Sequence, residues 1–174
     1  MKSILIYVIC FLFPPALFAH GPTPQKAKES ITINASVDKV WSLARQFDGI
    51  AAWHPDLIKS EGDGKNQSGG VRRLTFRNAE TLSEELDYYN EAEHEYSYRL
   101  KTENTKAFPL SSYSIELKVA PAENASHSLV TWKGRYYRGD TANNPPDQLN
   151  DAAAVTAMTQ FIKNGLLGLK AKFE

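Results

Sequence analysis

Two opposite charges fall on the apolar faces of neighbouring predicted strands. Arg72 shares a face with apolar side chains in the segment 71–77, and Glu84 does so in the segment 82–89. A buried charge without a partner is strongly unfavourable, so we predict that Arg72 and Glu84 pair directly or through water. Such a pair adds little stability over apolar residues, which favours a role in making a cavity polar. An exposed pair at the rim of the sheet is the alternative.

Aromatic side chains occupy the same faces of other predicted strands. Tyr98, Tyr113 and Trp132 each fall on the apolar face of their segment. They combine an apolar surface with a hydroxyl or indole group, which suits a flat or amphipathic ligand. An aromatic core with satisfied polar atoms is the alternative. Trp53 is predicted at the mouth of the cavity, where the adjacent His54 is either a candidate general base or a partly exposed histidine.

The last predicted helix carries small residues on the same stripe as Phe161. Gly165 falls on this stripe, and Gly168 falls on it or beside it. A glycine inside a helix costs about 1 kcal/mol relative to alanine, so each needs a structural reason. Close approach of the sheet or of a ligand would supply one. We interpret the small residues as space kept beside the helix, with Phe161 and Gly165 among the ligand-binding residues.

Familiar catalytic and cofactor motifs are missing from the sequence. It contains no G-x-S-x-G, no P-loop, no H-E-x-x-H and no G-x-G-x-x-G motif, and its four histidines lie in different segments without metal-ligand spacing. We therefore expect no cofactor and no metal. Whether the protein is an enzyme stays open, although the sequence favours a non-catalytic role.

Length and composition limit the class of protein. The chain has 174 residues, which suits one domain, and 42% of them are hydrophobic, which is enough for a buried core. It has 20 Lys+Arg and 20 Asp+Glu without long runs of one sign. This balance removes the electrostatic basis for a general nucleic-acid binder.

The first residues have the pattern of a secretory signal. One positive charge at Lys2 precedes an apolar run, and small residues then allow cleavage after Ala19. The run is shorter than a membrane span and is broken by Pro14-Pro15, so we expect no span after cleavage; an uncleaved anchor is the alternative. Cys10, the only cysteine, lies inside it. We predict a signal peptide at 1–19, a flexible lead-in at 20–29, one ligand-binding domain at 30–174, and a periplasmic or secreted location.

The hydrophobic period predicts the order of elements. A short strand at 30–36 precedes a helix capped by Ser36 and a second short helix or turn at 50–57. One long helix is predicted from Asp147 to about Lys172. Between these helices, strands are predicted at 58–61, 71–77, 82–89, 95–102, 112–120 and 128–138. This order indicates an α+β fold in which a seven-stranded antiparallel sheet curves around the C-terminal helix and leaves a cavity.

Short motifs across residues 30–172 resemble the helix-grip superfamily. They are V-W-S-L at 40–43, W-H-P at 53–55, G-V-R at 70–72, E-E-L-D at 84–87, Y-S-Y at 96–98, V-T-W at 130–132, and Pro109 followed by Tyr113. This superfamily includes START lipid-transfer domains, the birch-pollen allergen, plant abscisic-acid receptors and bacterial polyketide cyclase/dehydrase-like proteins. The chain resembles the bacterial branch, including secreted members found beside methanol-oxidation genes.

The resemblance implies a role for several polar residues. In the plant receptors, the residues that match Arg72 and Glu84 line the pocket, and the lysine that matches Lys59 meets the ligand carboxylate. The receptor gate is replaced here by residues 77–80 and its second loop by residues 105–110, so hormone binding is not expected.

Three functional hypotheses follow. The first is an exported, non-catalytic binding protein for a small hydrophobic or amphipathic molecule. The second, from the resemblance, is an accessory protein that binds a periplasmic redox protein. The third is a polyketide-type cyclase or dehydratase that would use Arg72, Glu84 and Tyr98 to polarise a carbonyl and move a proton.

Overall fold

The computed structural model describes residues 21–124 and 126–174. Its helices are α1 (Val37–Ala44), a 3₁₀ helix (Phe47–Ala52), a second 3₁₀ helix (Asp147–Leu149) and α2 (Asp151–Lys170). Its strands are β1 (Gln25–Ile33), β2 (Leu57–Gly62), β3 (Val71–Phe76), β4 (Thr81–Asn90), β5 (Glu95–Thr102), β6 (Leu110–Pro121) and β7 (Ser128–Arg138).

The seven strands form one antiparallel sheet in the order β1-β7-β6-β5-β4-β3-β2. Sequential strands from β2 to β7 are neighbours, and β1 closes onto β7 at the far edge. The C-terminal helix α2 packs mainly against β1 and β7. The predicted α+β helix-grip fold, with two short helices after the first strand, is confirmed.

The two α-helices are stabilised in different ways, α2 by a side-chain cap and α1 by burial of its apolar face. The Asn150 side chain accepts a hydrogen bond of 3.0 Å from the backbone N–H of Ala153, which caps α2. Ser36 occupies the N-cap position of α1, but its side chain makes no capping hydrogen bond. Helix α1 is instead held by the burial of its apolar face, formed by Val40, Trp41 and Ala44.

Some boundaries differ from the prediction. Strand β1 begins at Gln25, so part of the segment predicted as a flexible lead-in pairs with β7. The predicted long helix begins at Asp151 because a separate 3₁₀ turn occupies Asp147–Leu149. The predicted signal peptide, residues 1–19, lies outside the described residues. Within the described part of the chain, no helix is both long and apolar enough to cross a membrane.

Candidate functional site

Arg72 and Glu84 form a direct ion pair in the interior, as predicted. They are opposite each other in the register of β3 and β4, with 2.5 Å between Nε of Arg72 and Oε2 of Glu84. Their side chains are 0% and 2% exposed. Nη1 of Arg72 also donates a 2.6 Å hydrogen bond to the carbonyl oxygen of Phe47. The pair is therefore charged, desolvated and fixed to the first 3₁₀ helix.

Aromatic residues surround and extend this pair. Tyr113 Oη donates a 2.6 Å hydrogen bond to Oε1 of Glu84. The Arg72 guanidinium carbon lies 4.1 Å from the ring centroid of Phe47 and 4.6 Å from that of Tyr98. Trp132 Nε1 donates a 3.1 Å hydrogen bond to Tyr98 Oη. The result is a buried polar network inside an aromatic shell.

Burial and the charge of Glu84 together shift the pKa values of the neighbouring side chains. Burial alone lowers the pKa of Arg72, but the charge and hydrogen bond of Glu84, together with Tyr98 and Tyr96, more than offset this effect and leave the pKa above its ordinary value. Burial and the same charge raise the pKa of both Tyr98 and Tyr113 well above 10.0. Both phenols are therefore neutral near pH 7, and Tyr113 acts as a hydrogen-bond donor.

Two neighbouring donors of the interior lack a well-aligned hydrogen-bond partner. Arg72 Nη2 and Tyr96 Oη are buried and have no such partner among the described residues, although Arg72 offsets part of the rise in the pKa of Tyr96 that burial causes. Unpaired buried polar atoms are costly, and they mark places where water or a ligand group can bind.

The space between sheet and helix is nearly filled, although the sequence predicts a cavity there. The inner void measures about 10 Å³, which is room for about one water molecule. Its lining is formed by Phe76, Glu84, Tyr98, Phe108, Tyr113, Ile115, Met158, Phe161 and Ile162. The expected cavity is nearly closed because aromatic and aliphatic side chains fill it.

A larger groove of about 340 Å³ lies at the mouth of the fold, between α2 and the β3–β4 and β5–β6 loops. We call it the mouth groove. It is lined by Asp56, Phe76, Arg77, Asn78, Ala107, Phe108, Ala157, Gln160, Phe161 and Asn164. Its volume lies within the range of small-molecule sites, and its lining combines apolar and polar side chains.

Three phenylalanines separate the mouth groove from the inner void. Phe76, Phe108 and Phe161 line both spaces. Their ring centroids lie 5.8 Å apart for Phe76 and Phe108, 6.0 Å for Phe76 and Phe161, and 5.3 Å for Phe108 and Phe161. We call these side chains the phenylalanine partition. These rings are therefore all that the two spaces share among their lining residues.

Hydrogen bonds connect the two loops at the groove. Asn78 Nδ2 donates to the carbonyl oxygen of Lys106 at 2.9 Å, and Asn104 Nδ2 donates to Glu80 Oε2 at 2.8 Å. Arg77 Nε donates to the carbonyl oxygen of Pro55 at 2.5 Å. The loops therefore hold a defined rim beside α2.

His54 is a structural residue and not an exposed base. It is 1% exposed, and its Nδ1 accepts a 3.2 Å hydrogen bond from the backbone N–H of Asp56. Nε2 therefore carries the proton and donates to the carbonyl oxygen of Phe161 at 3.0 Å. Burial lowers the pKa of His54 from 6.5 to about 4. Both ring nitrogens are occupied, and the ring is neutral at pH 7.

The small residues of α2 provide close packing, which corrects the interpretation that they keep space open. A Cβ on Gly165 would lie 2.5 Å from Cζ3 of Trp132 and 2.6 Å from Cδ2 of His54. A Cβ on Gly168 would lie 2.1 Å from the carbonyl oxygen of Trp53. The helix can approach the segment after the first 3₁₀ helix only because these positions lack side chains.

The predicted site residues separate into three groups. Glu84, Tyr98, Tyr113 and Phe161 line the inner void. Arg72, Trp132, Trp53 and Gly165 are packed behind them. Lys59 is exposed and pairs with Glu61 at 2.7 Å.

Lys59 does not face the interior because the β2–β3 register shifts between Leu57 and Lys59. A bulge of this kind changes which side chains point inward. Lys59 is therefore not positioned to meet a ligand carboxylate inside the fold, which is the role that the resemblance implies.

The mouth groove was missed at the sequence level. Its residues come from four separate segments, so their proximity depends on the tertiary fold. The sequence indicates only the part of the groove that α2 forms, because the helical spacing of four lining residues places them on one face: Ala157, Gln160, Phe161 and Asn164. Within residues 21–124 and 126–174, no group of His, Cys, Asp or Glu side chains is arranged to hold a metal ion.

The family model described as polyketide cyclase/dehydrase and lipid transport matches residues 24–174. The antiparallel sheet around a C-terminal helix is the helix-grip fold, the class of protein to which this chain belongs. The chain is a member of the polyketide cyclase/dehydrase and lipid transport family. No curated protein matches it.

Solved structures share this fold. The protein XoxI of Bacillus cereus is 24% identical, with a TM-score of 0.71, over 85% of this chain and 94% of that one. An uncharacterized protein of Bacillus thuringiensis is 25% identical, with a TM-score of 0.71, over 86% and 98% of the two chains. A protein of Nitrosospira multiformis is 24% identical, with a TM-score of 0.66, over 86% and 97%.

Proposed function

We propose that the protein is an exported, non-catalytic binding protein for a small hydrophobic or amphipathic molecule. The observation that carries the proposal is the mouth groove of about 340 Å³, whose apolar floor is the phenylalanine partition. A family description that includes lipid transport agrees with a ligand of this kind. Export rests on the predicted signal peptide at 1–19.

The groove suits a ligand with one apolar and one polar part. The apolar part would lie on the rings of Phe76, Phe108 and Phe161. The exposed amide of Gln160 lies at the rim for the polar part, whereas the amides of Asn78 and Asn164 already donate to Lys106 and Asp56. A ligand of this kind gains affinity mainly from apolar burial and orientation from the few polar contacts.

The buried network would act in a second stage of binding. When the phenylalanine partition opens, Glu84 and Tyr113 come within reach of the polar part of the ligand, since the inner void itself holds only about one water molecule. Arg72, held by Glu84 and by the carbonyl of Phe47, keeps a positive charge directly behind that wall. The network would then determine which polar groups the interior accepts.

A cyclase or dehydratase activity is the second candidate, since the family description names it. Such a reaction needs a group that accepts and returns a proton. In the closed interior Glu84 is held by Arg72 and Tyr113, while His54 has both nitrogens engaged. These contacts favour binding over proton transfer.

Titration with N-phenyl-1-naphthylamine, a neutral fluorescent probe, tests the binding site. Ala157→Trp fills the mouth groove, and Ala152→Trp adds the same ring to an exposed position of α2 outside it. We expect saturable probe binding by the wild type and by A152W, and at least about tenfold weaker binding by A157W. Unfolding midpoints of both variants check that they are folded. Absence of probe binding, or equal binding by both variants, would contradict the proposal.

A further inference from the structure

Four basic side chains form a patch on the outer face of the sheet, opposite α2. In the β1–β7 register, Lys26 lies opposite Arg135 and Lys28 lies opposite Lys133. All four residues are exposed, whereas Ala27, between the two lysines, is half-buried. We call Lys26, Lys28, Lys133 and Arg135 the basic patch.

This arrangement opposes folding. Like charges directly opposite each other on adjacent strands are destabilising, and the basic patch contains two such pairs side by side. Of the four cations of the basic patch, only Lys133 has an acidic partner among the described residues, namely Glu116 at 2.8 Å. Lys26, Lys28 and Arg135 therefore repel one another without a compensating carboxylate in the structure.

The basic patch forms the walls of a groove. The groove has a volume of about 520 Å³. The four basic side chains and Glu116 line it. Ser97 and Ser114 line it as well, and Ser114 lies opposite Arg135 in the β6–β7 register. Hydroxyl groups and unpaired cations together are suitable donors for phosphate or carboxylate oxygens.

Protection of the sheet edge explains only half of the patch. Lysines on an edge strand hinder pairing with another chain, and β1 is an edge strand. Lys133 and Arg135, however, lie on β7, which is paired on both sides by β1 and β6. Cations on this inner strand do not protect an edge.

We propose that the groove of the basic patch binds a small anion that carries two or more phosphate or carboxylate groups. The anion bridges the opposed cations and removes their repulsion. This site lies on the opposite face of the sheet from the inner void and is independent of the proposed mouth-groove ligand.

Pyrophosphate and citrate are the probes that test this site, by calorimetric titration at constant ionic strength set with sodium chloride. Lys28→Thr combined with Arg135→Thr removes one cation from each opposed pair. Lys39→Thr combined with Lys172→Thr is the matched control, since both lysines are exposed and lie outside the groove. Each double variant loses the same charge.

We expect saturable binding of at least one probe by the wild type and by the control. Binding by K28T/R135T should be weaker by at least about tenfold. Binding of pyrophosphate alone assigns phosphate chemistry, and binding of citrate alone assigns carboxylate chemistry. In the absence of anion, K28T/R135T should unfold at a higher temperature than the wild type because repulsion is removed.

Three results would overturn the proposal. The first is no saturable binding of either probe by the wild type. The second is an equal loss of binding in K28T/R135T and in the control, which would indicate a general charge effect. The third is self-association of K28T/R135T with unchanged probe binding, which would assign the cations to protection of the sheet edge.

Discussion

Arg72 and Glu84 meet across β3 and β4 in the interior of the protein, with 2.5 Å between Nε and Oε2. Two strands that otherwise bury apolar side chains each contribute one charge at the same level of the sheet. The pair stands beside an inner void of about 10 Å³ and behind a partition of three phenylalanines. This relationship connects the sequence pattern with the proposed binding function.

A double-mutant cycle measures the coupling between the two charges. We expect Arg72→Met and Glu84→Met each to lower the free energy of unfolding by about 3–5 kcal/mol, because each leaves an unpaired buried charge. The double variant should lose clearly less than the sum of the two. Some loss should remain, since the carbonyl of Phe47 and the hydroxyl of Tyr113 lose their partners. Urea unfolding of the four proteins provides the values, and strict additivity would show that the pair is not formed.

His54 should make the protein less stable in mild acid. Its pKa is about 4 in the folded state and 6.5 as a free group, so the unfolded chain binds more protons between these values. The neutral His54 ring therefore contributes fully to the free energy of unfolding above about pH 6.5. This contribution, up to about 3 kcal/mol, is lost as the pH falls toward 4.

Unfolding free energies at several pH values test this effect. His54→Asn should flatten the dependence between pH 6.5 and 5, where few carboxyl groups titrate. His127→Asn, at a partly exposed histidine, is the control for loss of a histidine, and H54N should have the flatter dependence of the two variants. An unchanged slope in H54N would show that the ring is not buried in its neutral form.

Gly165→Ala should destabilise the protein although alanine is the better helix former. The gain of about 1 kcal/mol in helix propensity is outweighed by overpacking against Trp132 and His54, for a net loss of roughly 1–2 kcal/mol. Thr156→Ala, at an exposed position of α2, is the control and should be neutral or slightly stabilising. Thermal unfolding distinguishes the two. A stabilised G165A would mean that the helix face beside Gly165 is open.

The fold could be predicted because each element has a clear hydrophobic period. Alternation along 71–77 and 82–89 correctly placed Arg72 and Glu84 on the inner face, since β3 and β4 pair without a bulge between these residues. The same reasoning cannot detect a bulge. The register shift after Leu57 leaves Lys59 outside.

Packing and long-range proximity could not be predicted in the same way. Gly165 signals close approach, but the sequence does not show whether a ligand or another side chain approaches it. The inner void is small because side chains that are distant in sequence interdigitate. Local sequence patterns do not predict such packing. The mouth groove likewise depends on loops that are brought beside α2 only by the complete sheet.

The central claim is that the protein carries a small molecule in the mouth groove. Native mass spectrometry of the protein, purified from the exported fraction of its own host, tests it most directly. We expect the wild type to show a reproducible extra mass that is released on denaturation, and A157W purified in the same way to lack it. The wild type and A157W both at the bare mass of the chain, or both with the same extra mass, would contradict the account.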